Sequence, residues 1–406
     1  MIQLGAYDDG VAPAVRDAYL KELETITRVR LAEVVAGSSD RIAFTAHSPG
    51  PREPMTVEAI QKALKDLGFF PGGKEDGICG YRTLSAIRLF QEYVRSVEKL
   101  PCLPDGRFGP DSQAHLQRWL DQGLQMAWAP TIEQWRARTL GDTEYTRWLA
   151  LLDLVKAHYL GAPSRMLQLV NAFGGRTSTR KAADWDFSPA HVHLIGIRRS
   201  QANLKFDDIL VLLIKGLVFK FQGSTDPGSV EDGAPGAPFL VQGQHDYHFG
   251  WHQKTYLALR PLDLGSGVLV VRSKSDLVLD EADLNGGVKP ESTINVHWGG
   301  MGGQREVGTW SKGCQVINGT AYLTPSNDLV SCATFVGLNN TDIKNNPSKT
   351  RGAYNVLLDL VTALGSDLPT QTVKYTLLTA ADLEFSPELK KGLADARTRA
   401  GTLLPA

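Results

Sequence analysis

The stretch "TVEAIQKALKDLGFFPGGKEDGICGYRTLSAIRLFQEYV" occupies residues 56–94 and decides the architecture of the first half of the chain. Val57, Ile60, Leu64 and Leu67 recur at three- and four-residue steps, the spacing of one helical face. Leu84, Ile87, Phe90 and Val94 do so again. Between the two runs lies Asp76-Gly77-Ile78-Cys79-Gly80, and Asp105-Gly106-Arg107-Phe108-Gly109 brings the same pattern back 29 residues later. Asp-Gly at equivalent places is turn chemistry, because glycine accepts positive φ. "DSQAHLQRWL" then repeats the helix that follows the turn. Residues 56–122 thus read as an internal helical repeat.

The series Ile60-Gln61, Leu64, Leu67-Gly68, Asp76-Gly77, Gly80, Thr83, Ala86-Ile87 and Phe90-Gln91 resembles the peptidoglycan-binding domain family, a small three-helix module. The resemblance spans about 65 residues. It departs from the pattern in a longer insert, "EYVRSVEKLPCLP", before the second Asp-Gly.

Outward from this module the chain changes texture twice. Residues 11–36 read as a helix with Leu20, Leu23, Ile26 and Val29 on one face, and the polar stretch 37–56 reads as a linker. Residues 130–172 are helical again, carrying Trp135, Trp148, Leu149, Leu152 and Leu160. From about residue 190, "HVHLIGI", "DILVLLI", "LVFKFQG", "KTYLALRPL", "GVLVVRS" and "STINVHW" are short strand-like runs bounded by Gly, Pro, Asp and Ser. A helix, "YNVLLDLVTALG", and a last strand, "TVKYTLL", follow. The expected class is multidomain α+β, with a helical N-terminal half and a mainly β second half. The expected segments are an N-terminal helix and linker (1–50), the helical module (51–125), a helical connector (126–185), the β domain (186–385) and a tail (386–406) read as a surface helix, then disorder.

Composition excludes several classes. The chain has 406 residues, 42% hydrophobic and 21% charged, with a net charge of −1. That balance gives no global electrostatic reason to bind nucleic acid or an anionic membrane. No apolar run is long enough to span a bilayer. The first residues, "MIQLGAYDDGVAPAV", lack a basic region followed by an apolar core, so no secretory signal is expected. The 4 cysteines, Cys79, Cys102, Cys314 and Cys332, make no CxxC pair and no zinc spacing. Cys79 and Cys102 are either two separate thiols or, in an oxidising compartment, a disulfide.

Chemistry concentrates in "NVHWGGMGGQREVGTWSKGCQVING", residues 295–319. "TINVHW" reads as a strand ending at His297, and "CQVI" as the next strand, starting at Cys314. A glycine-rich loop joins them. Neighbouring strands would bring imidazole to thiol, and an imidazole beside a thiol favours the reactive thiolate. Gly313 would keep the approach to the sulfur open.

His297 followed by Ser311-Lys312-Gly313-Cys314 resembles the signature of the L,D-transpeptidase catalytic-domain family. The resemblance implies that Cys314 is the nucleophile, that His297 is the base, and that Ser311 or its carbonyl orients the imidazole. It implies attack on peptidoglycan stem peptides at the third residue. Lys312 stands where the family usually has histidine, and Gln315-Val316 replaces its usual polar segment after the cysteine.

Further candidates follow from residue type. Tyr247, Trp251 and Trp298, with Lys312, are expected to line the stem-peptide cleft. Arg272 and Arg305 are candidates for a substrate carboxylate. His191 and His193, or His245, His248 and His252, are either metal ligands or structural and substrate-lining groups. No third ligand is evident and the chemistry needs no metal or cofactor. Cys332 is expected to be inert.

The expected function is a peptidoglycan-targeting cysteine acyltransferase or peptidase. It would cleave or exchange stem peptides through a Cys314 thioester. The alternative is a non-catalytic peptidoglycan-binding protein with a degenerate site. The expected site of action is the periplasm or cell wall, reached without a classical signal as a secretion-system effector or phage lysis enzyme. An inhibitor or immunity protein is a further possible partner.

Overall fold

Each Asp-Gly turn of the repeat is held by a buried glutamine. In the computed structural model, which describes residues 1–27, 42–51, 54–128, 141–199, 204–274, 277–301, 306–365 and 372–403, helices α2 (Val57–Asp66), α3 (Tyr81–Ser96) and α4 (Pro110–Gln122) form the repeat module. The Gln61 amide nitrogen donates towards Asp76 Oδ1 at 2.9 Å and towards the Ile78 carbonyl and Thr83 Oγ1 at 3.0 Å. Its oxygen accepts the Gly77 N–H at 3.0 Å. Gln91 does the same in the second unit, towards Asp105, the Arg107 carbonyl and Ser112, while accepting the Gly106 N–H at 2.9 Å. Gly77 and Gly106 both have positive φ, 69° and 76°. The sequence repeat is therefore a repeat of one side-chain latch on one turn.

The segment expected to be a linker contributes a strand. Strand β1 (Ala6–Asp8) pairs in parallel with β2 (Thr45–His47). The Asp8 carboxylate accepts the N–H groups of Val57 at 2.6 Å and Glu58 at 2.9 Å, capping the start of α2. Helix α1 covers Pro13–Thr27. The remainder of the expected 11–36 helix includes residues 28–36, which lie outside the described residues, as does Trp135.

Strands β3 (Val192–Arg198), β4 (Asp208–Ile214), β5 (Leu217–Ser224), β7 (Gly243–His252), β8 (Tyr256–Pro261), β11 (Val296–Trp298), β12 (Gln315–Leu323) and β14 (Val373–Thr379) build a closed sheet. Its order is β11-β8-β7-β14-β3-β4-β5-β12, and parallel pairing of β12 with β11 closes the ring into a barrel. The second half of β12 takes β13 (Leu329–Ser331) on the edge that β11 leaves. A three-stranded sheet, β6 (Pro238–Leu240), β9 (Val268–Arg272) and β10 (Lys289–Glu291), lies beside the barrel. The β runs read from sequence recur as strands, because each was bounded by turn residues that do terminate it.

The helical connector and the tail do not stand apart from the barrel. Helix α5 (Glu144–Gly161) buries Tyr145, Trp148, Leu152 and Val155 against Ile195, Ile197, Val211 and Leu213. Helix α6 (Arg165–Ala172) packs Val170 on the three-stranded sheet. The tail was expected to be a surface helix followed by disorder. It is helix α8 (Pro387–Gly401), with Leu389, Leu393, Ala396 and Ala400 all buried.

The module docks on the barrel through a buried ion pair, hydrogen bonds and aromatic contacts. Helix α7 (Ala353–Asp359), continued by a π turn at Leu360–Leu364, lies against α3. Arg88 grips Asp359 through Nε and Nη2, at 2.8 and 2.5 Å. Glu92, from the insert that departs from the repeat pattern, receives Arg95 and the Tyr322 hydroxyl. Trp128 meets Phe219 edge-on at 5.2 Å. The insert thus meets the barrel through Glu92 and Arg95, beside the contacts that Arg88 and Trp128 make.

Candidate functional site

Pairing across β7, β8, β11 and β12 puts one row of polar side chains on one face of the barrel wall. His297 pairs with Val316, and Val296 with Leu259. Side chains alternate along a strand and paired residues share a face. Asn295 and His297 of the β11 segment therefore share a face with Cys314 and Val316, and with Arg260 of β8. On β7, His248 is opposite Arg260, and His252 is opposite Tyr256. The interior face carries Val296, Trp298 and Ile317, all in the main core.

Cys314 sits at the step into β12. The Asn295 N–H donates to its sulfur at 3.4 Å, and the thiol donates to the Thr293 carbonyl at 3.3 Å. The residue keeps some exposure, yet burial dominates the thiol and pushes it up to about 11. The Asn295 N–H and the Arg260 guanidinium oppose that rise, and Glu291 adds to it.

His297 is 2% exposed, and burial lowers it to about 4. Its Nδ1 lies 2.8 Å from the Trp298 carbonyl and 3.3 Å from the Tyr256 hydroxyl. A carbonyl only accepts, so Nδ1 carries the proton and Nε2 is the basic nitrogen. His252 stacks on the ring at 3.9 Å and 20°, and its Nδ1 lies 3.2 Å from the Asn295 amide nitrogen. Burial, then His297 and two arginines, lower His252 to about 2. Both imidazoles are neutral at ordinary pH.

Several expected roles are not those the side chains have. Ser311 was expected to orient the imidazole; its hydroxyl donates to the Cys314 carbonyl at 2.7 Å and accepts the Gly313 N–H. Its own carbonyl accepts Gly228 at 2.8 Å and Ser229 at 3.1 Å. Tyr256 and the Trp298 carbonyl hold the imidazole instead. Gly313 was expected to open the way to the sulfur. It has φ of 121°, and a Cβ there would lie 2.6 Å from Pro238 and 2.9 Å from Ile294, so it permits close packing of those residues.

Tyr247 and Trp251 were expected to line the cleft, and both are buried. Tyr247 donates to the Ile294 carbonyl at 3.0 Å, bracing the segment that holds the sulfur. Trp251 packs on Tyr81 at 5.8 Å, in the seam between module and barrel. Trp298 is buried against Trp310 and Tyr256. Lys312 is exposed, 3.7 Å from Glu231. Arg305 lies outside the described residues. Arg272 is paired with Glu291 at 2.8 Å.

Hydrogen bonds hold three further candidate histidines. His191 pairs with Asp186 at 2.7 Å, His193 with the Ser188 carbonyl at 2.8 Å, and His245 with Thr179 and the Val241 carbonyl. Among the described residues no group of three His, Cys, Asp or Glu side chains is placed to hold a metal ion, and no described helix is long and apolar enough to cross a membrane. Asn295, Tyr256 and Arg260 escaped sequence reasoning. Strand pairing brings Asn295 and Arg260 to the Cys314 face and Tyr256 to His297, and only the alternation of "KTYLALRPL" carried a trace of it.

Residues 55–95 match the family model described as a putative peptidoglycan binding domain. The match covers the first repeat and does not reach the barrel. No curated protein and no solved structure matches the chain. The helical half therefore carries a peptidoglycan-binding domain, with peptidoglycan as its partner, ahead of a β-rich part that contains a barrel.

Proposed function

We propose that the protein holds peptidoglycan through residues 55–95 and attacks wall stem peptides with Cys314, His297 acting as the base. The observation that carries this reading is the fixed tautomer of His297, whose Nδ1 is tied to the Trp298 carbonyl on the face that also bears Cys314. Nε2 is then the lone pair free to take a proton. In the first step the sulfur bonds to the peptide carbonyl carbon as its proton passes to Nε2. The C–N bond then breaks, and the same proton goes to the leaving amine. Water or a second amine resolves the thioester, giving a cleaved or an exchanged stem. Wall binding raises the local concentration of stems at the barrel.

A second reading, a wall-binding protein with an idle corner, is favoured by one observation. Burial pushes the Cys314 thiol up to about 11 and His297 down to about 4, so each favours its neutral form at neutral pH and an ion pair between them is disfavoured. The Cys314→Ala variant separates the two. Its sulfur makes only two long contacts, so the fold should be kept, and turnover of purified peptidoglycan should fall below detection. Muropeptide mass spectrometry reads the result. Equal product from variant and parent would leave the wall-binding reading.

A further inference from the structure

Arg260 is a cation without a counterpart beside Cys314. It stands on β8 opposite His248, and its stem crosses Gly250, where a Cβ would lie 2.7 Å from Cδ. Continuing the Val296–Leu259 pairing by one residue puts it opposite Asn295, the residue whose N–H holds the Cys314 sulfur. Its Nε is buried with no hydrogen-bond partner. Among the described residues no carboxylate pairs with it, whereas Arg272 nearby is neutralised by Glu291. Burial lowers its pKa, so the charge is partly desolvated, on the strand face it shares with Asn295 and Cys314. A half-buried guanidinium with an empty donor calls for an anion, and its planar fork fits a carboxylate.

We propose that Arg260 is the specificity residue of the Cys314 site, binding a carboxylate of the stem peptide next to the bond under attack. The identity of the carboxylate rests on the function proposed above; the anion site itself does not. Arg260 selects carboxylate-bearing donors over amidated ones and turns the scissile carbonyl towards the sulfur.

The test uses the full chain and two reagents that differ in charge, iodoacetate and iodoacetamide. Alkylation at Cys314 is followed by peptide mass spectrometry, and the rate ratio is normalised to the unfolded protein. Arg260→Gln should lower the iodoacetate preference about tenfold, the size of a lost charge-assisted hydrogen bond. Arg260→Lys should keep part of it, and Arg272→Gln should leave it alone. Thermal unfolding of each variant checks the fold, and the Lys variant carries the comparison if the Gln variant unfolds. In parallel, free and amidated stem peptides are compared, and Arg260→Gln should raise KM for the free acid alone. A ratio unmoved in Arg260→Gln, or moved equally by Arg272→Gln, overturns the anion site. An Arg260-dependent ratio with no stem-peptide turnover keeps the anion site and removes the cysteine enzyme. Turnover with an unmoved ratio does the reverse.

Discussion

The two glutamine latches of the repeat module and the Cys314 face both bury polar groups, and they treat them in opposite ways. In the module, Gln61 and Gln91 are each 1% exposed and have both ends of the amide engaged. On the Cys314 face, Arg260 Nε and Asn295 Oδ1 are buried with no hydrogen-bond partner. An unmet buried polar group costs stability, so structural polar groups are saturated. Groups left unmet on one face, around a thiol and two neutral histidines, are the ones the proposed site would satisfy on its ligand. The comparison can be broken at either end.

The largest effect after loss of the nucleophile is expected from His297→Ala. Removing a general base lowers turnover about 10²–10⁴-fold. The pH dependence is specific. With His297 near 4 and the thiol near 11, the reactive pair is neutral on both sides, so activity should be flat between those limits. It should fall as pH drops through about 4, where the base is protonated. Because a neutral imidazole lends no charge, the pH profile of Cys314 alkylation should be unchanged in His297→Ala. A shifted profile would show an ion pair and make the two regions less different.

How much of this was legible in the sequence depends on the range of the contacts. The module's latch is local: Gln61, Asp76-Gly77 and Thr83 lie within one unit, and repetition 29 residues on marks them. Strand runs were legible for the same reason. His297 and Cys314 were legible because one short glycine-rich loop joins their strands. Arg260 and Tyr256 reach the site through β-ladder pairing, which no local pattern encodes. Tyr247 and Trp251 misled because aromatic residues near histidines read alike whether they line a cleft or fill a core. The docking of the insert was illegible too, since Glu92 and Arg95 find Tyr322 and the Ser331 carbonyl more than 200 residues away.

Arg88→Ala tests the saturated side at its strongest point. It leaves the Asp359 carboxylate, 2% exposed, without its guanidinium. Breaking such a pair costs about 3–5 kcal/mol. Thermal unfolding should show a large fall in Tm with the module and barrel melting together. A small change would mean that water reaches the seam.

Gln61→Ala and Gln91→Ala sharpen the repeat. Each strands a turn N–H, at Gly77 or Gly106, and should cost about 1–3 kcal/mol. Near-equal losses by chemical denaturation are expected, since the two latches share geometry. A loss confined to one would mean that only that unit's turn is closed to solvent.

The smallest effect is expected at Lys312, the residue directly between Ser311 and Gly313 in the cysteine loop. Its ammonium is 3.7 Å from Glu231, and the two side chains are 46% and 71% exposed. An exposed pair at that separation contributes about 0–1 kcal/mol, because solvent screens it and two long side chains must be held still. Lys312→Gln should therefore leave Tm and turnover of unamidated stems nearly unchanged, in contrast to Arg260→Gln. The half-buried, unpaired cation would then be the one that reads the substrate, and the exposed, paired one a surface charge. A several-fold rise in KM with kcat constant would reverse that assignment. It would extend the binding face from the barrel wall onto the loop.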